Sequence, residues 1–217
     1  MRNRIATVFL ATCLSAAQPP HPAAPEPPQP HQDAQAPKPQ ITPEMRGDIY
    51  MARRMYREAI DVYRSIQPPT AVILNKIGIA YQQLGDLESA RKMYERAIKL
   101  NKKYAEAINN LGTVHYARKS YRRAISQYRK ALSINPDSAS IYSNLGTAYF
   151  ARKDYQRAIE CYEKALAIDP DVFERRGTSG VLLQERSVEE RAKFHYHLAK
   201  VYAKNGRNDL ALFYIRK

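Results

Sequence analysis

The chain has 217 residues, with 35 Lys+Arg against 21 Asp+Glu and a formal net charge of +14 at pH 7. Apolar residues make up 44%, too many for a disordered chain, while a mean hydropathy of −0.58 suits amphipathic helices better than a deep α/β core. Cys13 and Cys161 are the only cysteines, which excludes a disulfide-stapled scaffold.

Residues 1–17 read as a secretory signal. Arg2 and Arg4 give a positive start, an apolar run follows from Ile5 to Leu14, and Ser15-Ala16-Ala17 supplies small residues for cleavage before Gln18. The run is too short to cross a bilayer, which takes about 20 apolar residues. Export to the periplasm or the exterior is the expectation, an apolar cytosolic N-terminus the alternative. Leu10-Ala11-Thr12-Cys13 also resembles a bacterial lipoprotein box, with lipidation at Cys13 as a variant of the same reading and Thr12 a departure from it. Residues 18–43 hold ten of the 14 prolines and almost no large apolar side chain. Such a stretch cannot offset its ordering entropy and reads as a disordered, semi-rigid linker. Recognition by a proline-binding domain is the alternative, and His21 and His31 within it form no metal site.

From residue 44 onward the sequence repeats. Gly47, Gly78, Gly112 and Gly146 are spaced by 31, 34 and 34 residues, as are Ala59, Ala90, Ala124 and Ala158, and Tyr63, Tyr94, Tyr128 and Tyr162. Within each unit, apolar residues recur at steps of three and four, so two helices per unit are predicted, and Pro136 and Pro170 end the second helix of theirs. A glycine inside a helix costs about 1 kcal/mol relative to Ala. Its recurrence implies close approach of the paired helix.

Tyr142-x2-Leu145-Gly146-x2-Tyr149, Ala158-x3-Tyr162 and Pro170 resemble the tetratricopeptide repeat. So do Ile108, Leu111, Gly112, His115, Ala124, Tyr128 and Pro136, and before them Leu74, Ile77, Gly78, Tyr81, Ala90, Tyr94 and Ala97. Gly47, Tyr50, Ala59 and Tyr63 mark a degenerate first copy, three residues shorter around Gln67 to Thr70. The resemblance implies an all-α, right-handed helical-repeat solenoid over 44–217, with units near 40–70, 71–104, 105–138, 139–172 and 192–217. Leu198, Ala199, Tyr202, Gly206 and Ala211 fit the last unit, displaced by a loop insertion at 171–190 that is either part of a binding face or a tolerated excursion. Ser187-Val188-Glu189-Glu190 forms a capping-box pattern predicted to start a helix running to about Asn205. With no capping element after it, the last unit is expected to leave Leu210, Phe213 and Tyr214 on an open edge, available for self-association or marking a shortened relative of a longer protein.

No Gly-rich phosphate loop, Ser/His/Asp set or Cys/His ligand set occurs at useful spacing, so neither catalysis nor a cofactor or metal is expected. His195 and His197 fall on different faces of one helix, His115 replaces a packing tyrosine, and Cys161 reads as a small apolar filler. The resemblance implies a concave groove lined by the first helix of each unit. Carried over by position, its candidates are Asn75, Lys76, Ile79 and Gln82; Asn109, Asn110, Thr113 and Tyr116; Ser143, Asn144, Thr147 and Phe150; and Lys193, Tyr196, His197 and Lys200. Asn110 and Asn144 occupy equivalent places, with amides able to pair with a peptide backbone and Tyr116 and Phe150 beside them as apolar contacts. Simple solvation of the groove is the alternative.

The repeats hold the charge excess, with 32 Lys+Arg against 19 Asp+Glu in 44–217. Arg53-Arg54, Arg118-Lys119 and Arg152-Lys153 fall at turns between paired helices, followed by Arg57, Arg122-Arg123 and Arg157. Stacking is expected to align them into a basic ridge attractive to an anionic surface, nucleic acid or an acidic partner. The leading expectation is a non-catalytic scaffold that binds peptides or proteins in its groove. A polyanion binder using the ridge is the second expectation, and an enzyme subunit with a concealed site the third.

Overall fold

The computed structural model describes residues 41–173 and 187–217. The signal segment, the linker up to residue 40 and residues 174–186 of the insertion lie outside the described residues. Residues Ile41–Lys217 form one compact unit. Among the described residues there are ten helices and no strand. They pair in sequence: α1 (Pro43–Ala52) with α2 (Tyr56–Arg64), α3 (Ala71–Gln83) with α4 (Leu87–Leu100), and α5 (Ala105–Ala117) with α6 (Tyr121–Ile134). Then α7 (Ala139–Ala151) pairs with α8 (Tyr155–Ile168), and α9 (Val188–Lys204) with α10 (Asn208–Ile215). The second helix of each pair packs on the first helix of the next, and the result is an all-α, right-handed helical-repeat solenoid.

Local chemistry sets the ends of these helices. Pro43 is the first residue of α1 rather than the last of the linker: its fixed φ suits that position, and Thr42 accepts a hydrogen bond from the Met45 N–H. At α9 the Ser187/Glu190 capping box forms in both directions. The first unit owes its shortness to α2, which has nine residues where α4, α6 and α8 have 14.

Every intra-pair turn closes the same way. The backbone N–H groups of Met55, Asp86, Ser120, Asp154 and Arg207 reach back to the carbonyls of Tyr50, Tyr81, His115, Tyr149 and Tyr202. This six-to-one bond requires the residue before each donor to be left-handed. Glycine meets the requirement at Gly85 and Gly206, but Arg54, Lys119 and Lys153 adopt φ of 60°, 58° and 63°.

The recurring glycines act as sockets. A methyl group on Gly47, Gly78, Gly112 or Gly146 would stand 2.3–2.6 Å from a ring carbon of Tyr63, Tyr94, Tyr128 or Tyr162. Those four tyrosines are fully buried. In the fifth unit the corresponding residues are Ala199 and Ile215, and Ile215 is exposed, so it is not seated in the way the four tyrosines are. The predicted open edge is smaller than expected. Tyr214 is buried and stacks on Tyr202 with ring centroids 5.4 Å apart, and Leu210 is half-buried. Phe213 does remain exposed, alongside Leu212 and Ile215.

Candidate binding groove and basic face

The phenol hydroxyls of the socket tyrosines determine what the groove residues do. Tyr128 donates to Thr113 at 3.3 Å and Tyr162 to Thr147 at 3.5 Å, each acceptor directly following its glycine. Tyr63 donates in the same way to Asp48 at 2.6 Å. In the second unit that place is held by Ile79, which cannot accept, and Tyr94 reaches Gln82 at 3.0 Å instead. Thr113, Thr147 and Gln82, predicted to line the groove, therefore satisfy buried phenols. The polar residue after the glycine in three of four copies was the available sequence signal.

The structure also withdraws Asn75, Ser143 and Phe150 from the groove surface, since all three are buried along with Thr147. Phe150 sits edge-on to Phe194 of α9 at 5.6 Å and to Tyr155 at 5.2 Å. Packing of α9 across the fourth unit thus converts the expected apolar contact into core. His197 joins this cluster, stacked on Tyr155 at 4.9 Å, while His195 lies against Tyr214 at 5.8 Å on the other side of the helix. Burial lowers the pKa of both imidazoles. Burial likewise pushes the Cys161 thiol up to about 11, which leaves it unreactive at neutral pH.

The asparagines pair with one another instead of standing as separate rungs. The Asn144 amide donates to Asn109 Oδ1 at 3.0 Å, Asn109 to Asn110 Oδ1 at 3.3 Å, and Asn110 to Asn75 Oδ1 at 3.0 Å. Asn75 in turn donates to the Tyr104 hydroxyl at 3.3 Å. This chain of amides crosses α7, α5 and α3. Asn109, Asn110 and Asn144 are half-exposed, and each amide can make more hydrogen bonds than the chain uses. At the N-terminal end Lys76 contacts Glu44 at 2.8 Å and Asp48 at 2.7 Å, so its charge is neutralised within the protein. Burial opposes ionisation of Asp48, but hydrogen bonds from Lys76 and Tyr63 outweigh it and hold the carboxyl below the usual range. Tyr116 lies half-buried with its ring centroid 5.3 Å from that of Tyr121. On α9, Lys193, Tyr196 and Lys200 are exposed.

The basic ridge is interrupted. Arg53, Arg54, Arg118, Lys119, Arg122, Arg123, Arg152, Lys153 and Arg157 are all exposed. Between the first and third turns, however, stands Leu84-Gly85-Asp86. There glycine satisfies the left-handed position and Asp86 caps α4 by accepting from the Ser89 N–H. Arg118 is also tied to Glu88 at 3.1 Å and Arg157 to Asp154 at 3.4 Å. Among the described residues, Arg53 and Arg54 in the first unit, Lys119, Arg122 and Arg123 in the third, and Arg152 and Lys153 in the fourth form no ion pair. Among the described residues no group of three or more His, Cys, Asp or Glu is arranged to hold a metal ion.

Family models described as tetratricopeptide repeat match residues 44–103, 139–172 and 192–217, and one described as TPR repeat matches 112–151. The chain belongs to the tetratricopeptide repeat family. No curated protein matches the sequence significantly. Among solved structures it is similar to MamA from Desulfovibrio magneticus RS-1, at 21% identity and TM-score 0.55 over 78% of this chain and 87% of that one. It is also similar to YrrB, described as a TPR protein with an unusual peptide-binding site, at 25% identity and TM-score 0.52 over 58% of this chain and 66% of that one. A third similar structure, the APC/C hetero-tetramer Cut9-Hcn1, gives 20% identity and TM-score 0.59 over 80% of this chain and 32% of that chain.

Proposed function

We propose that this chain is a non-catalytic adaptor that holds an extended peptide segment of a protein partner against the asparagine chain of its groove. The observation behind this reading is the amide relay itself, which fixes Asn109, Asn110 and Asn144 in place while leaving part of each amide exposed. Preorganised amides bind a peptide backbone at low entropic cost. Membership of a protein-interaction family and the likeness to YrrB support the same reading. Selection of binders from a random peptide library on the full chain tests it. Asn144→Ala, at the end of the relay, is expected to weaken a selected peptide about tenfold, the value of one backbone hydrogen bond in a partly dry site. Unchanged affinity would place the partner elsewhere.

The reading includes export, on the strength of the charged start, apolar run and small-residue site in residues 1–17. Intact-mass measurement on soluble and membrane fractions of the native host tests this part. A soluble species beginning at Gln18 is expected; an uncleaved cytosolic chain would overturn it, and a lipid-modified Cys13 would replace free export with anchoring.

A further inference from the structure

Helices α4, α6 and α8 hold the same place in successive units and meet the same packing demands, yet their solvent faces differ in charge. Where α4 carries Glu88 and Glu95, and α8 carries Gln156 and Glu163, α6 carries Arg122 and Arg129. Helix α6 has four cations, Arg122, Arg123, Arg129 and Lys130, and no acidic residue. All four are exposed, and none forms an ion pair with a carboxylate among the described residues. Arg129 approaches only the Tyr149 ring, 6.0 Å from its centroid. Packing does not account for this reversal, because glutamate serves at both positions one unit earlier.

Lys119 at the head of α6 and Arg152-Lys153 at the next turn widen the α6 face into a patch. Lys119 and Lys153 also occupy left-handed positions that glycine fills in the second and fifth units. A side chain there costs about 1–2 kcal/mol relative to glycine. These cations therefore stand at positions that backbone preference alone would give to glycine, as Arg54 does in the first unit.

We infer that the outer face of α6, with the flanking turns, is a docking surface for an anionic lipid bilayer. From Arg122 to Lys130 the cations of α6 extend about 12 Å along the helix axis, and the flanking turns add Lys119, Arg152 and Lys153. The other exposed positions on the helix are Ser126 and Ser133, with no exposed aromatic ring. Single-stranded nucleic acid is held largely by stacking on aromatic rings, which this face does not offer. A specific protein interface centres on a desolvated apolar or aromatic core, also missing from α6. Headgroup phosphates require neither, and each nearby Lys or Arg contributes about 1 kcal/mol at a charged bilayer surface. The surface shares no residue with the asparagine chain, so this inference and the groove reading fail independently.

The test is co-sedimentation of the full chain with vesicles of phosphatidylcholine alone and with phosphatidylglycerol replacing about a third of the lipid, with a duplex DNA fragment as a separate probe. Binding is expected only to the anionic vesicles, falling steeply as salt rises from about 0.05 to 0.5 M. Arg122→Glu with Arg129→Glu restores the charges that α4 carries and is expected to weaken vesicle binding at least about 30-fold. Arg122→Gln with Arg129→Gln is the milder substitute should the double reversal fail to fold. Arg96→Glu with Lys99→Glu on α4 makes the same change in net charge and is expected to leave most of the affinity. Equal binding to neutral vesicles, equal loss in both glutamate variants, or duplex binding without vesicle binding would overturn the inference.

Discussion

Replacing Gly112 with alanine separates two opposed expectations. Helix propensity alone predicts stabilisation by about 1 kcal/mol, because Gly112 lies inside α5. The structure predicts the reverse. The added methyl would stand 2.6 and 2.8 Å from two ring carbons of Tyr128, where carbon atoms normally meet at about 3.5–4.0 Å. The ring has little room to withdraw, since Tyr128 is 1% exposed and its hydroxyl is bonded to Thr113. Overpacking of this kind costs about 1–3 kcal/mol, occasionally more. With the propensity gain subtracted, a net destabilisation of about 1–2 kcal/mol is expected, which lowers the thermal midpoint by about 2–8 °C in a domain of this size. Far-UV circular dichroism on heating reads it. In a cycle with Tyr128→Ile, the double variant is expected to be at least about 1 kcal/mol more stable than the summed single effects. A raised midpoint for Gly112→Ala, or strict additivity, would refute the socket.

The turns, the asparagines and the titratable groups make further expectations measurable. Lys119→Gly relieves a left-handed side chain and should stabilise by about 1 kcal/mol, whereas Arg129→Gly in the interior of α6 should cost about as much; thermal melts compare them. Asn110→Ala strips the donor from buried Asn75 and should cost about 1–3 kcal/mol in urea unfolding. Asn144→Ala exposes only the half-buried Asn109 carbonyl and should cost less. The Asp48 pKa is lowered in the folded protein, so its stabilisation is present above about pH 4 and is lost as pH falls through the folded value. Asp48→Asn should accordingly flatten the acid limb of a urea-midpoint profile, and an unchanged limb would deny the Lys76 cluster any role. His195 and His197 also have lowered values, so their contribution is complete above about pH 6.5 and fades as pH falls. Amide exchange should show α9 and α10 loosening first on acidification, and His195→Gln with His197→Gln should remove that selectivity.

The helix pairs were legible because each is encoded locally, by three- and four-residue apolar steps, a turn and a repeated glycine–tyrosine register. Ser187 and Glu190 announced α9 in the same way, as a capping box within four residues. The groove was less legible because exposure depends on residues distant in sequence. Phe150 became core through Phe194, beyond the displaced loop, and Thr147 through the Tyr162 hydroxyl. The asparagine chain escaped a column-by-column reading for a geometric reason. Equivalent residues lie 34 apart, but Asn75 meets Asn110 and Asn109 meets Asn144 at a separation of 35. Successive first helices cross one another, so their contacts run diagonally to the repeat. The basic residues were visible as charge, but only the backbone shows that Arg54, Lys119 and Lys153 stand in left-handed positions.

The third unit carries both proposed surfaces on opposite sides of one locked pair. Asn109 and Asn110 lie on α5, Arg122 and Arg129 on α6, and the Gly112–Tyr128 socket joins the helices between them. The close, buried contact of Gly112 with Tyr128 fixes the spacing of the two helices, so the groove does not have to change shape for the outer face to be occupied, and the converse also holds. The chemistry of the two sides differs as well: the groove uses neutral amides, with Lys76 already paired to Glu44 and Asp48, whereas the outer face uses unpaired cations. Screening acts on the second and hardly on the first. Raising salt should therefore detach the protein from anionic vesicles while a groove-bound uncharged peptide stays in place, with the peptide followed by fluorescence anisotropy and the protein by sedimentation. Simultaneous release of both would mean that the two sides are coupled through α5 and α6, against the fixed spacing inferred from Gly112 and Tyr128.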